Sequence, residues 1–283
     1  MNLLAATNLS IFTFCSIYLY QGSHSSKKNL NQGIMNITKS IPKIKSEEVF
    51  YTSNGRQSKG FIAYDENEKG KLPIVIIVHE WWGLNDYAKS RARQIAALGY
   101  FAFDADLFGD GQLANNPEEA IKLTKPYYSD PVNTLQPILD AIAKAATFPQ
   151  ANLSKVAAMG YCFGGFVVVN AAKQGAPLLG VVSFHGRLIG IQPKKDLLKS
   201  QILICQGGDD EFVPLSDQVA FKKSMDSVGA KYNFITYPGA KHAYTNPDAT
   251  ALGIKFNMPI AYNAIADTAS WNDMQAFFLT VFK

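Results

Sequence analysis

The segment Gly160-Tyr161-Cys162-Phe163-Gly164 sets one cysteine between two glycines, after the apolar run 155–159 and before a second apolar run, 167–172. A G-x-nucleophile-x-G pattern at a strand-to-helix junction is the sequence form of a nucleophile elbow. The reactive residue sits on a strained turn, and glycines on either side let the backbone pack closely around it. The helix that follows would aim its first amides and the positive end of its dipole at the sulfur, which favours thiolate. The competing reading is a small-residue junction with a merely buried cysteine.

A thiol nucleophile needs a base, and the chain has four histidines, His24, His79, His185 and His242. His24 falls in an amino-terminal stretch read as outside the fold. His79 and His185 end predicted strands, where an imidazole serves a pocket or simply the structure. His242 follows the last predicted strand, and it alone gives the chain order nucleophile, acid, histidine with an acid between. The acid should also end a strand. Segment 207–214, Gly-Gly-Asp-Asp-Glu-Phe-Val-Pro, offers Asp209, Asp210 and Glu211. A carboxylate there would hold the imidazole's tautomer and stabilise the imidazolium, although Asp after Gly is also ordinary turn chemistry.

These residues need elements to position them. Segments 48–52 and 60–64 read as strands around Asn54-Gly55, a dipeptide suited to a tight hairpin turn. The continuous apolar run 73–79 reads as a central parallel strand covered on both faces. A helix should start at Asp86 and stop at Gly99. Alternation continues with a strand at 100–105, helical sequence over 118–146 interrupted near 126–131, a strand at 155–159 and a helix from Gly164. Further strands fit at 178–184, 201–206 and 231–237, with helices between the last two and at the carboxyl end. This pattern predicts a mostly parallel sheet with helices on both faces, an antiparallel N-terminal hairpin, and a ligand site at the carboxyl ends of the strands.

Of the 283 residues, 47% are hydrophobic and 18% charged, as in an ordinary folded domain. The net charge of +4 is modest, and without a dense basic run there is little to suggest nucleic-acid binding. Cys15, Cys162 and Cys205 are too scattered for a metal or disulfide framework, which points to a reducing compartment. Cys205 reads as a buried strand residue. Residues 1–40 read as a flexible tail, either a signal segment or a mis-assigned start with Met35 the true one; 41–283 read as one domain. The tail is too polar for a stable membrane span and has no positive start, so a cytoplasmic protein is expected, periplasmic or secreted if 1–34 act as a signal.

Taken together, the elbow at 160–165, the acid loop at 207–214 and the histidine loop at 239–242 resemble the dienelactone hydrolase family, over roughly residues 47–283. The resemblance implies an α/β-hydrolase fold, a Cys162-His242-Asp210 triad, and action on esters or lactones without metal or organic cofactor. It selects Asp210 over Asp209. A fourth match, His79-Glu-Trp-Trp-Gly83, implies that Glu80 contacts the resting cysteine and helps convert it to thiolate. The backbone amides of Trp81 and Phe163 would then form the oxyanion hole. Family members that process dienelactones hold the substrate carboxylate with two arginines. This chain has none at the matching places, Asp106-Leu-Phe-Gly-Asp-Gly and His242-Ala-Tyr-Thr-Asn246, which argues against a dienelactone. Trp82, Phe108 and Tyr244, with Trp81 and Phe163, suggest an apolar or aromatic pocket instead.

The expected partner is a small-molecule ester or lactone, acted on by a monomer or small homo-oligomer. Three rivals differ in what they predict. A zinc site at His79-Glu80 would need a second histidine where Gly83 stands. A redox thiol predicts sulfenic acid at Cys162 without ester turnover. A non-catalytic scaffold binding a small molecule predicts that Cys162→Ala changes no activity.

Overall fold

The computed structural model describes residues 41–283. The expectations for residues 1–40, a flexible tail, a signal segment or a mis-assigned start, lie outside the described residues, as do Cys15 and His24.

Strands β1 (Ile44–Ser53) and β2 (Arg56–Asp65) form the antiparallel hairpin. Its turn works because Asn54 and Gly55 both take positive φ, 49° and 72°, the pairing a two-residue turn with right-handed strand twist requires. The parallel strands are β3 (Leu72–Val78), β4 (Phe101–Ala105), β5 (Ala151–Tyr161), β6 (Gly180–Phe184), β7 (Gln201–Gly207) and β8 (Tyr232–Tyr237). They join the hairpin in one eight-stranded sheet of order β1-β2-β4-β3-β5-β6-β7-β8. β2 pairs antiparallel to β4, and β3 through β8 are mutually parallel.

The helices are α1 (Asp86–Ala97), α2 (Pro117–Ser129), α3 (Leu135–Ala145), α4 (Phe163–Lys173), α5 (Leu215–Ser227), α6 (Ala249–Phe256) and α7 (Ala264–Val281). Successive strand residues feed opposite faces. Ile74, Ile76 and Val78 pack with Ile138 of α3, Val167 of α4 and Phe221 of α5, whereas Val75 and Ile77 pack with Ile95 of α1 and Phe278 of α7. That two-sided burial explains why 73–78 is apolar throughout rather than alternating.

The helical break falls inside the expected 126–131 stretch: α2 runs through Pro126 to Ser129, and a single 3-10 turn, Pro131–Thr134, follows. Pro126 lies inside α2, where its missing N–H leaves the Lys122 carbonyl without the usual helix donor and helps end the helix within a turn. Strand β5 begins at Ala151 rather than 155. Its first residues pair with Leu72 and Pro73 across a register shift that the alternation of side chains does not reveal.

The helix after the elbow meets the sheet at Gly164. A Cβ there would lie 2.1 Å from the Val78 carbonyl oxygen and 2.8 Å from that of His79. Both obstacles are backbone and cannot swing aside. Gly164→Ala should therefore push α4 off β3 and destabilise the fold by about 3 kcal/mol, at the upper end for overpacking. This corresponds to a fall of roughly 6–12 °C in Tm by calorimetry; a shift under about 2 °C would contradict the close approach.

Candidate active site

Five parallel strands deliver their carboxyl ends to one edge of the sheet. Cys162 follows β5, Glu80 and Trp81 follow β3, His185 follows β6, Asp210 follows β7 and His242 follows β8. Cys162 has φ 52° and ψ −111°, a conformation an L-residue adopts only when its surroundings compel it. Gly160 is part of that compulsion, since a Cβ there would lie 2.2 Å from the Gly164 backbone.

The sulfur of Cys162 lies 3.1 Å from His242 Nε2, and His242 Nδ1 lies 3.0 Å from Asp210 Oδ2. Asp210 is held in turn: Gln206 Nε2 donates to Oδ2 at 2.8 Å and the Phe212 amide donates to Oδ1 at 2.9 Å. With a carboxylate facing Nδ1, that nitrogen carries the proton and Nε2 faces sulfur. Burial opposes a charge on His242, but the negative sulfur of Cys162 and the Asp210 carboxylate outweigh it and lift its pKa well above the ordinary imidazole value. The arrangement favours the imidazolium form of His242. Asp209, adjacent in sequence, is not in this chain of bonds; its amide donates to the Ala240 carbonyl at 2.9 Å.

Glu80 is buried beside this pair. Oε2 accepts from Asn246 Nδ2 at 2.7 Å, while Oε1 has no hydrogen-bond partner among the described residues. Burial pushes its pKa up to about 7, against the opposing hydrogen bond from Asn246 and the nearby His242 charge. The expected contact between Glu80 and the resting cysteine needs correction on this point: the sulfur is bonded to His242, and the carboxylate to Asn246. The physical reason is competition, since imidazole is the better partner for sulfur and the Asn246 amide supplies a donor the buried carboxylate requires.

His185 answers the question its position raised. It is fully buried, and its Nδ1 accepts the Cys162 amide at 3.2 Å, an amide that also bonds the Phe184 carbonyl at 2.9 Å. An accepting Nδ1 places the proton on Nε2, which faces Thr245 Oγ1 at 2.7 Å. Thr245 continues to the Tyr87 hydroxyl at 2.7 Å, and Arg91 holds both Tyr87 and the Thr245 carbonyl. Burial, reinforced by the charges of His242 and Arg91, holds the His185 pKa well below ordinary and keeps it neutral. His79 is buried as well, its Nδ1 2.6 Å from the Glu80 carbonyl oxygen.

A cavity of about 730 Å³ opens onto the sulfur, lined by Trp81, Trp82, Tyr128, Phe212, Met258 and Ile260 among others. Trp82 thus stands where the sequence suggested. Phe108 and Tyr244 do not. Phe108 packs against His79 and Phe163 and borders a separate, smaller cavity; Tyr244 is fully buried and donates its hydroxyl to the Cys205 carbonyl at 3.3 Å. Both aromatics belong to the core. The Phe163 ring is core too, but among the described residues its amide and that of Trp81 have no internal acceptor. Tyr128, Phe212 and Met258 were missed by the sequence reading. Phe212 alone carried a signal, by its place inside the acid loop.

The profile of the dienelactone hydrolase family matches residues 59–282. The chain belongs to the dienelactone hydrolase family. Among its relatives, a "Putative carboxymethylenebutenolidase" from Saccharolobus solfataricus is 26% identical over 84% of this chain and 99% of its own length. Another of that name from Methylorubrum extorquens is 26% identical over 62% of this chain and 65% of its own length. The crystal structure of a dienelactone hydrolase-like promiscuous phosphotriesterase from metagenomic libraries superposes with a TM-score of 0.79 at 31% identity, covering 85% of this chain and 99% of that one. This family member is a dienelactone hydrolase-like hydrolase with the α/β-hydrolase fold. Among its described residues no helix is long and apolar enough to cross a membrane.

Proposed function

We propose that the protein hydrolyses small carboxylic esters or lactones through a covalent acyl-cysteine. The observation that carries this reading is the unbroken line Asp210–His242–Cys162, with bonds of 3.0 and 3.1 Å, at the floor of an apolar cavity. The Cys162 thiolate attacks the carbonyl carbon and the carbonyl electrons move to oxygen, which the Trp81 and Phe163 amides receive. The S–C bond is complete when the C–O bond to the leaving alcohol breaks, and His242 delivers its proton to that alkoxide. Water then attacks the thioester; His242 takes the water's proton, and the S–C bond breaks to release the acid and restore thiolate. Glu80, half-ionised near neutrality, assists thiol activation by favouring the His242 imidazolium, and with it the thiolate, once it carries its charge. The free thiol suits a reducing compartment, so cytoplasmic placement belongs to the same reading.

Stopped-flow hydrolysis of 4-nitrophenyl acetate tests the mechanism. A nitrophenolate burst equal to the enzyme concentration is expected, followed by slower turnover, and Cys162→Ala should abolish both. Release that persists in the alanine variant would exclude an acyl-cysteine.

A further inference from the structure

The cavity above Cys162 carries two cations that the triad does not use. Arg187 lies just past His185 in the loop after β6, and Lys125 comes from α2; both line the cavity and both are exposed. Among the described residues neither has a carboxylate within salt-bridge range or makes a hydrogen bond. Arg187 is nevertheless placed rather than loose, because its guanidinium lies 5.4 Å from the Tyr128 ring centroid. Tyr128 in turn packs on Phe163, the residue after the nucleophile, at 5.8 Å between centroids. Burial pushes the Tyr128 hydroxyl's pKa up, the Cys162 sulfur adds to this, and Arg187 pulls it back. One aromatic ring therefore separates the guanidinium from the nucleophile's surroundings.

We propose that Arg187, held over the Tyr128 ring and supported by Lys125, forms a carboxylate-binding subsite that selects esters bearing an anionic group on the part held away from the reacting carbonyl. This rests on the hydrolase reading above. A guanidinium held over a ring with no hydrogen bond among the described residues keeps its N–H groups available, and their planar fork matches a carboxylate. The loops where the resemblance implies arginines offer no such contact. The Asp106 carboxylate is spent on the amides of Lys59, Phe108, Gly109 and Gly111, and the Asn246 amide is spent on Glu80. The anionic end of a substrate is thereby directed to a different wall, built by α2 and the loop after β6. Lys125 and Tyr128 lie three residues apart on one face of α2, with Ile121 and Thr124 on the same face. Asp217 and Glu80 also line the cavity; a carboxylate is repelled by their charge and attracted by Arg187 and Lys125.

Two measurements on the intact protein test this. Calorimetric titration with 4-phenylbutyrate and 4-phenylbutanamide asks about binding without turnover. The acid should bind about tenfold more tightly than the amide, Arg187→Gln should equalise them, and Arg187→Lys should retain part of the difference. Steady-state hydrolysis of mono-4-nitrophenyl adipate and 4-nitrophenyl hexanoate then asks about selection. The adipate should be favoured about tenfold in kcat/KM, mostly through KM, with Arg187→Gln removing the preference and leaving hexanoate within about twofold. Equal binding of acid and amide, or a preference indifferent to Arg187→Gln, would overturn the subsite. Arg187-dependent binding with no Cys162-dependent turnover of either ester would uphold the subsite and refute the hydrolase reading instead.

Discussion

Asp210→Asn is expected to lower kcat for an activated ester by about a thousandfold, and His242→Ala by about ten thousandfold, with the fold intact in both. The substitution is nearly isosteric, so the first loss is one of proton placement. Asp210 uses Oδ1 to accept the Phe212 amide and Oδ2 to accept from His242 and Gln206. An asparagine that keeps its oxygen toward Phe212 turns its NH2 toward Nδ1. The imidazole must then accept at Nδ1 and carry its proton on Nε2, the nitrogen 3.1 Å from sulfur. It can no longer take a proton from thiol or water. Gln206 adapts readily, because its own Oε1 is buried without a partner and can turn to meet the new donor. The check is steady-state kinetics beside a circular dichroism spectrum. An Asp210→Asn variant within about tenfold of wild type would mean that Asp210 only packs.

Glu80→Gln should move activity and stability in opposite directions. The carboxyl's pKa stands at about 7 in the fold, against an ordinary value of 4.5, with burial as the main cause. Between those two pH values the folded protein keeps a proton that the unfolded chain has lost. Stability therefore falls as pH rises from about 4.5 to about 7, and above 7 the full penalty of a buried charge is present. That rise in pKa corresponds to roughly 3 kcal/mol at most. Glutamine removes the charge while its oxygen still accepts from Asn246. Urea unfolding at about pH 8 should show the variant more stable by up to about 3 kcal/mol, with the gap closing by about pH 4. Its kcat/KM should fall by about tenfold to a hundredfold and lose the limb that rises through about pH 7 in wild type. An unchanged pH profile would remove Glu80 from the proposed chemistry.

These two outcomes also separate what was legible from what was hidden. The elbow, the acid loop and the histidine loop could be read because each is a short local pattern forced by backbone geometry. Cys162 at φ 52° needs Gly160 and Gly164 beside it, wherever the rest of the chain lies. The strands and their cover on both faces were legible for the same reason. A run such as 73–78 must be covered on both sides, and an Asn-Gly dipeptide must turn. Asn246 was noticed as a missing arginine, but its bond to Glu80, 166 residues away, has no local trace.

The layered fold, the candidate nucleophile and base, and the strand ends that carry them follow from local stretches of sequence. Which aromatics face the cavity depends on how distant segments meet, since a helix or loop pattern says that one side is buried and not what it is buried against. Trp82 and Tyr128 line the cavity above Cys162, whereas Phe108 and Tyr244, equally aromatic and equally near the motifs, close into the core. The same meeting of segments sets the surroundings of Glu80 and the placement of Arg187. Burial, and hence pKa and the availability of a charge, arises from contacts between segments that no single stretch of chain contains.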